Sequence, residues 1–97
     1  MERKSEPKER ILMREVQFEF LAPDAREVYL VGSFNDWNIS ETLMQKDKNG
    51  IWKKPLSLEA GKYEYRFIVD GKWENDPSCP GCVPNKFGTK NCVRSVV

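Results

Sequence analysis

Two short blocks hold the residues best suited to chemistry, Gly32-Ser33-Phe34-Asn35-Asp36-Trp37 and Asp70-Gly71-Lys72-Trp73. In each, a tryptophan stands at a turn after a strand-like run, beside Asn35, Asp36 and Asn38 in one case and before Glu74, Asn75 and Asp76 in the other. An indole meant for burial belongs in an alternating apolar strand. One set among turn-forming amides and carboxylates is placed to touch something, with core packing as the alternative for both Trp37 and Trp73. The chemistry on offer is stacking rather than catalysis. The chain has no histidine, so a histidine-based nucleophile–base pair cannot be assembled, and Asp36, Asp70, Glu74 and Asp76 lie in turns, where local capping explains them. Two carboxylates suffice for glycoside hydrolysis, but so small a domain offers a shallow surface rather than a cleft. The expectation is a protein that is not an enzyme.

Cys79-Pro80-Gly81-Cys82 has the spacing of redox dithiols and of half of many zinc sites, and Cys92 is the third thiol. A redox dithiol lowers its first thiol's pKa at a helix N-terminus, whereas this one falls in a loop. A structural zinc site wants four Cys or His ligands, and three cysteines without histidine fall short. Cys79, Cys82 and Cys92 are therefore expected as free or loop-bracing thiols, with an intrachain disulfide and metal coordination as alternatives. No cofactor and no metal is assigned.

The elements that must position these residues are short strands. Val16, Phe18 and Phe20 alternate with Gln17 and Glu19 between Arg14 and Phe20, the period of a strand with one buried face. Glu27 to Val31, Glu41 to Gln45, Ile51 to Leu58, Lys72 to Glu74 and Lys90 to Val97 follow, and the run from Gly61 to Val69 is the clearest, with Tyr63, Tyr65, Phe67 and Val69 on one parity and Lys62, Glu64 and Arg66 on the other. Asn49-Gly50 and Asp70-Gly71 supply hairpin turns, and Pro55 marks an edge strand or a bulge. Trp52 is read as core with Val16, Phe18, Phe20, Val28, Leu30, Tyr63, Tyr65 and Phe67. Seven short strands with frequent turn signals and no helical period predict an all-β fold, an antiparallel immunoglobulin-like β-sandwich.

At 97 residues there is room for a single domain, expected over residues 12–97 behind a charged flexible tail, residues 1–11. The first ten residues carry seven charges and no apolar run, which does not resemble a secretion signal, and no segment has the roughly 18 apolar residues of a membrane span. A cytoplasmic location without membrane contact follows. A net charge of +1 gives no basic face for nucleic acid.

The strings VYLVGSFNDWN, GKYEYRFIVDGKWENDP and NKFGTKN together resemble carbohydrate-binding module family 48, the glycogen-binding domain found in the beta subunit of AMP-activated protein kinase and ahead of the catalytic domains of branching and debranching enzymes. The likeness runs from about Glu27 to Val96. It implies non-catalytic binding of an α-1,4-linked glucan such as glycogen, starch or malto-oligosaccharide, with Trp37 and Trp73 at the family's two tryptophan positions. Arg66 stands where the family has a lysine, keeping the charge with a different donor geometry. Phe87 replaces a leucine that pushes against the sugar helix, and Thr89 and Asn91 fall where hydroxyls are hydrogen-bonded. The carbohydrate-binding set implied by the resemblance is thus Trp37, Arg66, Trp73, Phe87, Thr89 and Asn91. The alternative is a protein-interaction or regulatory scaffold that docks on a kinase or a sugar-processing enzyme.

Overall fold

The computed structural model describes residues 12–79 and 81–97; the tail expected over residues 1–11 lies outside them. Eight strands occur among the described residues: β1 (Met13–Leu21), β2 (Val28–Gly32), β3 (Gln45–Lys46), β4 (Ile51–Glu59), β5 (Gly61–Val69), β6 (Lys72–Glu74), β7 (Cys82–Pro84) and β8 (Lys90–Val96). They form two antiparallel sheets, β1-β4-β3 and β2-β5-β8-β7, with β6 added to β5. The expected all-β sandwich is therefore present. Among the described residues no helix is long and apolar enough to cross a membrane.

Alternation decides which faces meet. Phe18 of β1 packs edge-on to Tyr65 of β5 with ring centroids 5.1 Å apart, and Phe20 meets Phe67 at 4.8 Å. Val16, Val28, Leu30, Met44, Trp52 and Cys92 are among the other members of the buried cluster, while Phe20 and Tyr63 are only partly buried. The Trp52 indole N–H donates to the Ala22 carbonyl at 2.9 Å, so this tryptophan is core, as its parity predicted. β3 reaches only Trp52 and Lys53 of β4. Among the described residues no strand pairs with that edge of β4 at Pro55, where a missing N–H is tolerated.

Two expectations are corrected. Glu41 to Gln45 is not one strand. The Leu30 amide donates to the Thr42 carbonyl and the Met44 amide to the Val28 carbonyl, both at 2.9 Å, after which Gln45–Lys46 pairs with β4; a segment that changes sheets cannot run straight. Between Asp76 and Lys86, where the Pro/Gly/Cys-rich sequence predicts only a connection, lies β7. Its three residues end in proline and carry no alternation, and only pairing with β8 makes them a strand.

The turns follow their side chains. Asp70 and Gly71 both have positive φ, 49° and 85°, the backbone of a two-residue hairpin turn. The Asn49-Gly50 turn differs: only Gly50 is left-handed, φ 81°, and the loop is organised by Asp47, whose carboxylate accepts from the amides of Asn49 (2.8 Å) and Ile51 (3.0 Å). It is a three-residue loop with a terminal left-handed glycine.

The edge of β5 opposite β2 is shared by two partners. β8 pairs with Gly61 to Tyr65 and β6 with Phe67 to Val69. Arg66 stands at the break between them, on the outward face of the sheet, since its neighbours Tyr65 and Phe67 point into the core.

Candidate functional site

The Gly32-to-Trp37 block is built from inside outwards. Gly32 passes so close to β5 that a Cβ there would lie 2.5 Å from the Glu64 carbonyl oxygen and 2.7 Å from the Phe34 ring. Phe34 then turns back towards the core, with its ring 5.5 Å from that of Phe18 and 6.3 Å from that of Tyr63. Asn35 is buried; its amide group donates to the Leu30 carbonyl (3.1 Å) and the Thr42 hydroxyl (3.0 Å), and its oxygen accepts from the Gly32 amide (3.1 Å). With the turn locked on that side, Asp36 and Trp37 both adopt left-handed backbone, φ 56° and 58°. Such a conformation is unfavourable for a bulky residue and persists only where the surroundings impose it. The Trp37 amide closes the turn on the Gly32 carbonyl at 2.9 Å, leaving the indole half-buried at the surface.

Trp73 occupies the middle of β6 opposite Ile68 and is 45% exposed. The Arg66 guanidinium lies over its ring, 5.2 Å from the centroid, a cation–π contact that holds the indole in one orientation. Arg66 also donates from Nε to Asn75 Oδ1 (2.6 Å) and from Nη1 to the Thr89 hydroxyl (3.3 Å). Asn75 in turn donates to the Lys90 carbonyl at 3.0 Å, tying β6 to β8 across the break.

Phe87 owes its position to a second three-residue loop of the Asp47 kind. The Asn85 amide donates to the Thr89 carbonyl (2.9 Å), the Asn85 oxygen accepts from the amides of Phe87 (3.0 Å) and Thr89 (3.1 Å), and Gly88 is left-handed, φ 84°. That geometry throws Phe87 to the tip, 79% exposed. The Asn85 side-chain nitrogen donates to the Thr89 hydroxyl (2.8 Å) and to Asn91 Oδ1 (3.0 Å), and Asn91 donates to Glu64 Oε1 (3.0 Å).

All six residues expected in the site line one open concavity of about 980 Å³ on the outer face of the five-stranded sheet. Its other walls are Glu64, Asn85 and Lys86, which sequence reasoning did not single out. Asn85 was open to discovery, because Asn followed three residues later by Gly is a turn signal and the residue at the turn's head orders its tip. Chemically the concavity combines apolar plates, Trp37, Trp73 and Phe87, with a floor of donors and acceptors already knitted to one another. Such a floor has limited freedom to reorganise, so a ligand exchanges water for fixed hydrogen-bonding groups.

Comparison with known proteins points the same way. The family model described as the glycogen recognition site of AMP-activated protein kinase matches residues 14–97. Protein PTST homolog 2, chloroplastic, of Arabidopsis thaliana is 48% identical over 56 residues, 58% of this chain and 10% of that protein. Protein FLOURY ENDOSPERM 6, chloroplastic, of rice is 46% identical over a stretch of the same length. The human 5'-AMP-activated protein kinase subunit beta-1 is 41% identical over 71 residues, 73% of this chain and 25% of the subunit. The chain thus spans about a tenth of the plant relatives' length and a quarter of the human one.

Proposed function

The chain belongs to the family of the glycogen recognition site of AMP-activated protein kinase, and we propose that it is a non-catalytic module that binds an α-1,4-linked glucan in the concavity of Trp37, Arg66, Trp73, Phe87, Thr89 and Asn91. The observation that carries this reading is convergence. Four separate segments, a turn after β2, the middle of β5, β6 and the β7–β8 hairpin, bring the three exposed or half-exposed aromatics to one polar floor.

A glucose ring has a flat patch of C–H groups on a face and hydroxyls round its rim, so it suits indole plates for the face and Arg, Thr and Asn for the rim. Each partly covered indole contributes roughly 1 to 3 kcal/mol, and each rim hydrogen bond about 1 kcal/mol net. After the cost of association, a dissociation constant on the order of micromolar to millimolar results. Sites of that strength act through linkage to another contact. The naming of the animal relatives as kinase subunits supports a second role alongside the first, holding a protein partner on the glucan.

Electrophoresis in gels containing glycogen tests the reading. The native chain is expected to be retarded, and Trp37→Ala and Trp73→Ala to run unretarded with stability changed by no more than about 1 kcal/mol, as befits partly exposed positions. Equal retardation of native and double-mutant chains would overturn it.

A further inference from the structure

We propose that Cys79, Cys82 and Cys92 form a binding site for one thiophilic d10 metal ion, zinc(II) or copper(I). The three Sγ atoms lie within 4.8 Å of one another, although Cys92 is ten residues or more from the other two. Register is what gathers them. Cys82 of β7 is the direct cross-strand partner of Cys92 of β8, and the return of the chain at Cys79 places its Sγ 3.3 Å from that of Cys82. Thiolates around an ion at about 2.3 Å stand roughly 3.8 Å apart, so the cluster needs shifts of only about half an ångström to close on one.

The surroundings favour a bound cation. Cys92 is wholly buried, and its Sγ accepts a hydrogen bond from the Asp76 amide at 3.2 Å, the kind of outer contact that orients a metal ligand. Cys82 is exposed and Cys79 half-buried, which gives an ion a route in and leaves a fourth side open to water. Three sulfurs and no histidine in the chain select a soft ion over magnesium or calcium. Copper(I) is satisfied by three thiolates, while zinc(II) would take water or an outside donor as its fourth ligand. The site lies on the core side of β8, the face opposite Asn91, and it closes the foot of the hairpin whose tip carries Phe87. An ion there would clamp β7 to β8.

The test uses the whole chain, reduced and kept free of oxygen, with chromophoric chelators competing in separate zinc(II) and copper(I) arms. One equivalent bound in either arm is expected, and the arm identifies the ion; no binding in either overturns the proposal. Cys79→Ser and Cys82→Ser, at accessible positions, are each expected to weaken binding at least about tenfold, whereas Trp73→Ala on the far face binds like the native chain. Bound ion is also expected to protect the accessible thiols of Cys79 and Cys82 from N-ethylmaleimide, read by mass. Serine variants that hold the ion as tightly as the native chain, or alkylation unaffected by the ion, would sink the assignment. Cys92→Ser disturbs the core, so the two accessible positions decide.

Discussion

Asn35 shapes the concavity without lining it. Its side chain satisfies one amide, one carbonyl and one hydroxyl inside the protein, and the left-handed pair Asp36-Trp37 follows directly from the chain direction it fixes. Replacing it with alanine leaves buried backbone groups without partners at about 1 to 3 kcal/mol each. We expect Asn35→Ala to cost about 2 to 3 kcal/mol in urea unfolding and to abolish retardation by glycogen, because Trp37 is no longer held out. A variant with native stability, or one that is destabilised yet still retarded, would separate Asn35 from the placing of Trp37. Arg66 shows the same economy on the other side of the concavity. Its guanidinium meets an indole, an amide and a hydroxyl at once, which the single ammonium of a lysine could not match in one geometry.

At the scale of elements, two loops of identical design have different tolerances. Gly50 and Gly88 are both left-handed, φ 81° and 84°, but a Cβ on Gly50 would sit 2.6 Å from Pro23 Cβ, whereas one on Gly88 meets nothing within 4 Å. Alanine incurs the backbone penalty of about 1 to 2 kcal/mol at either site, and at Gly50 adds an overpacking cost of about 1 to 3 kcal/mol. Chemical unfolding should therefore find Gly50→Ala the more destabilised by at least about 1 kcal/mol; equal losses would show that Pro23 gives way freely. What could be read from the sequence divides along the same line. β5 and the Asp70-Gly71 turn were legible because alternation and φ preference are local, and the gathering of Trp37, Arg66, Trp73, Phe87, Thr89 and Asn91 around one concavity was legible through three contiguous strings. The sheet change after Thr42, the strand at Cys82–Pro84 and the meeting of Cys92 with the CxxC were not, because each is decided by pairing with a partner outside its own segment.

Across the whole molecule, the two faces of the five-stranded sheet have separate duties. The outer face holds the concavity, and the inner face holds the aromatic core. Tyr65 belongs to the inner one: it is 1% exposed, and its hydroxyl donates to Asp76 Oδ2 at 2.7 Å. Asp76 in turn accepts from the Ser78 amide and hydroxyl, so this bond ties the core to the segment leading into the cysteine loop. Burial, and then the Asp76 carboxylate, push the Tyr65 phenol well above its ordinary value of 10.0, and burial with the neighbouring Cys79 thiol pushes Cys92 up from 9.0 to about 12. Both native-state values are raised, which fixes the sign. Below about pH 9 both groups are protonated in folded and unfolded chains, and their contribution is fully present. As the pH climbs past about 9 and then about 10, the unfolded chain releases protons that the native one keeps, and stability falls. Each group adds a slope of at most about 1.4 kcal/mol per pH unit. Urea unfolding of the reduced, metal-free chain between about pH 8 and pH 11 should show stability declining from the thiol range upward. Tyr65→Phe should start lower at neutral pH, where it leaves Asp76 Oδ2 without its partner, yet decline less steeply above about pH 10. Parallel profiles for the native and phenylalanine chains would mean that the phenol ionises as readily folded as unfolded, and that the bond to Asp76 does not hold the core to the cysteine loop.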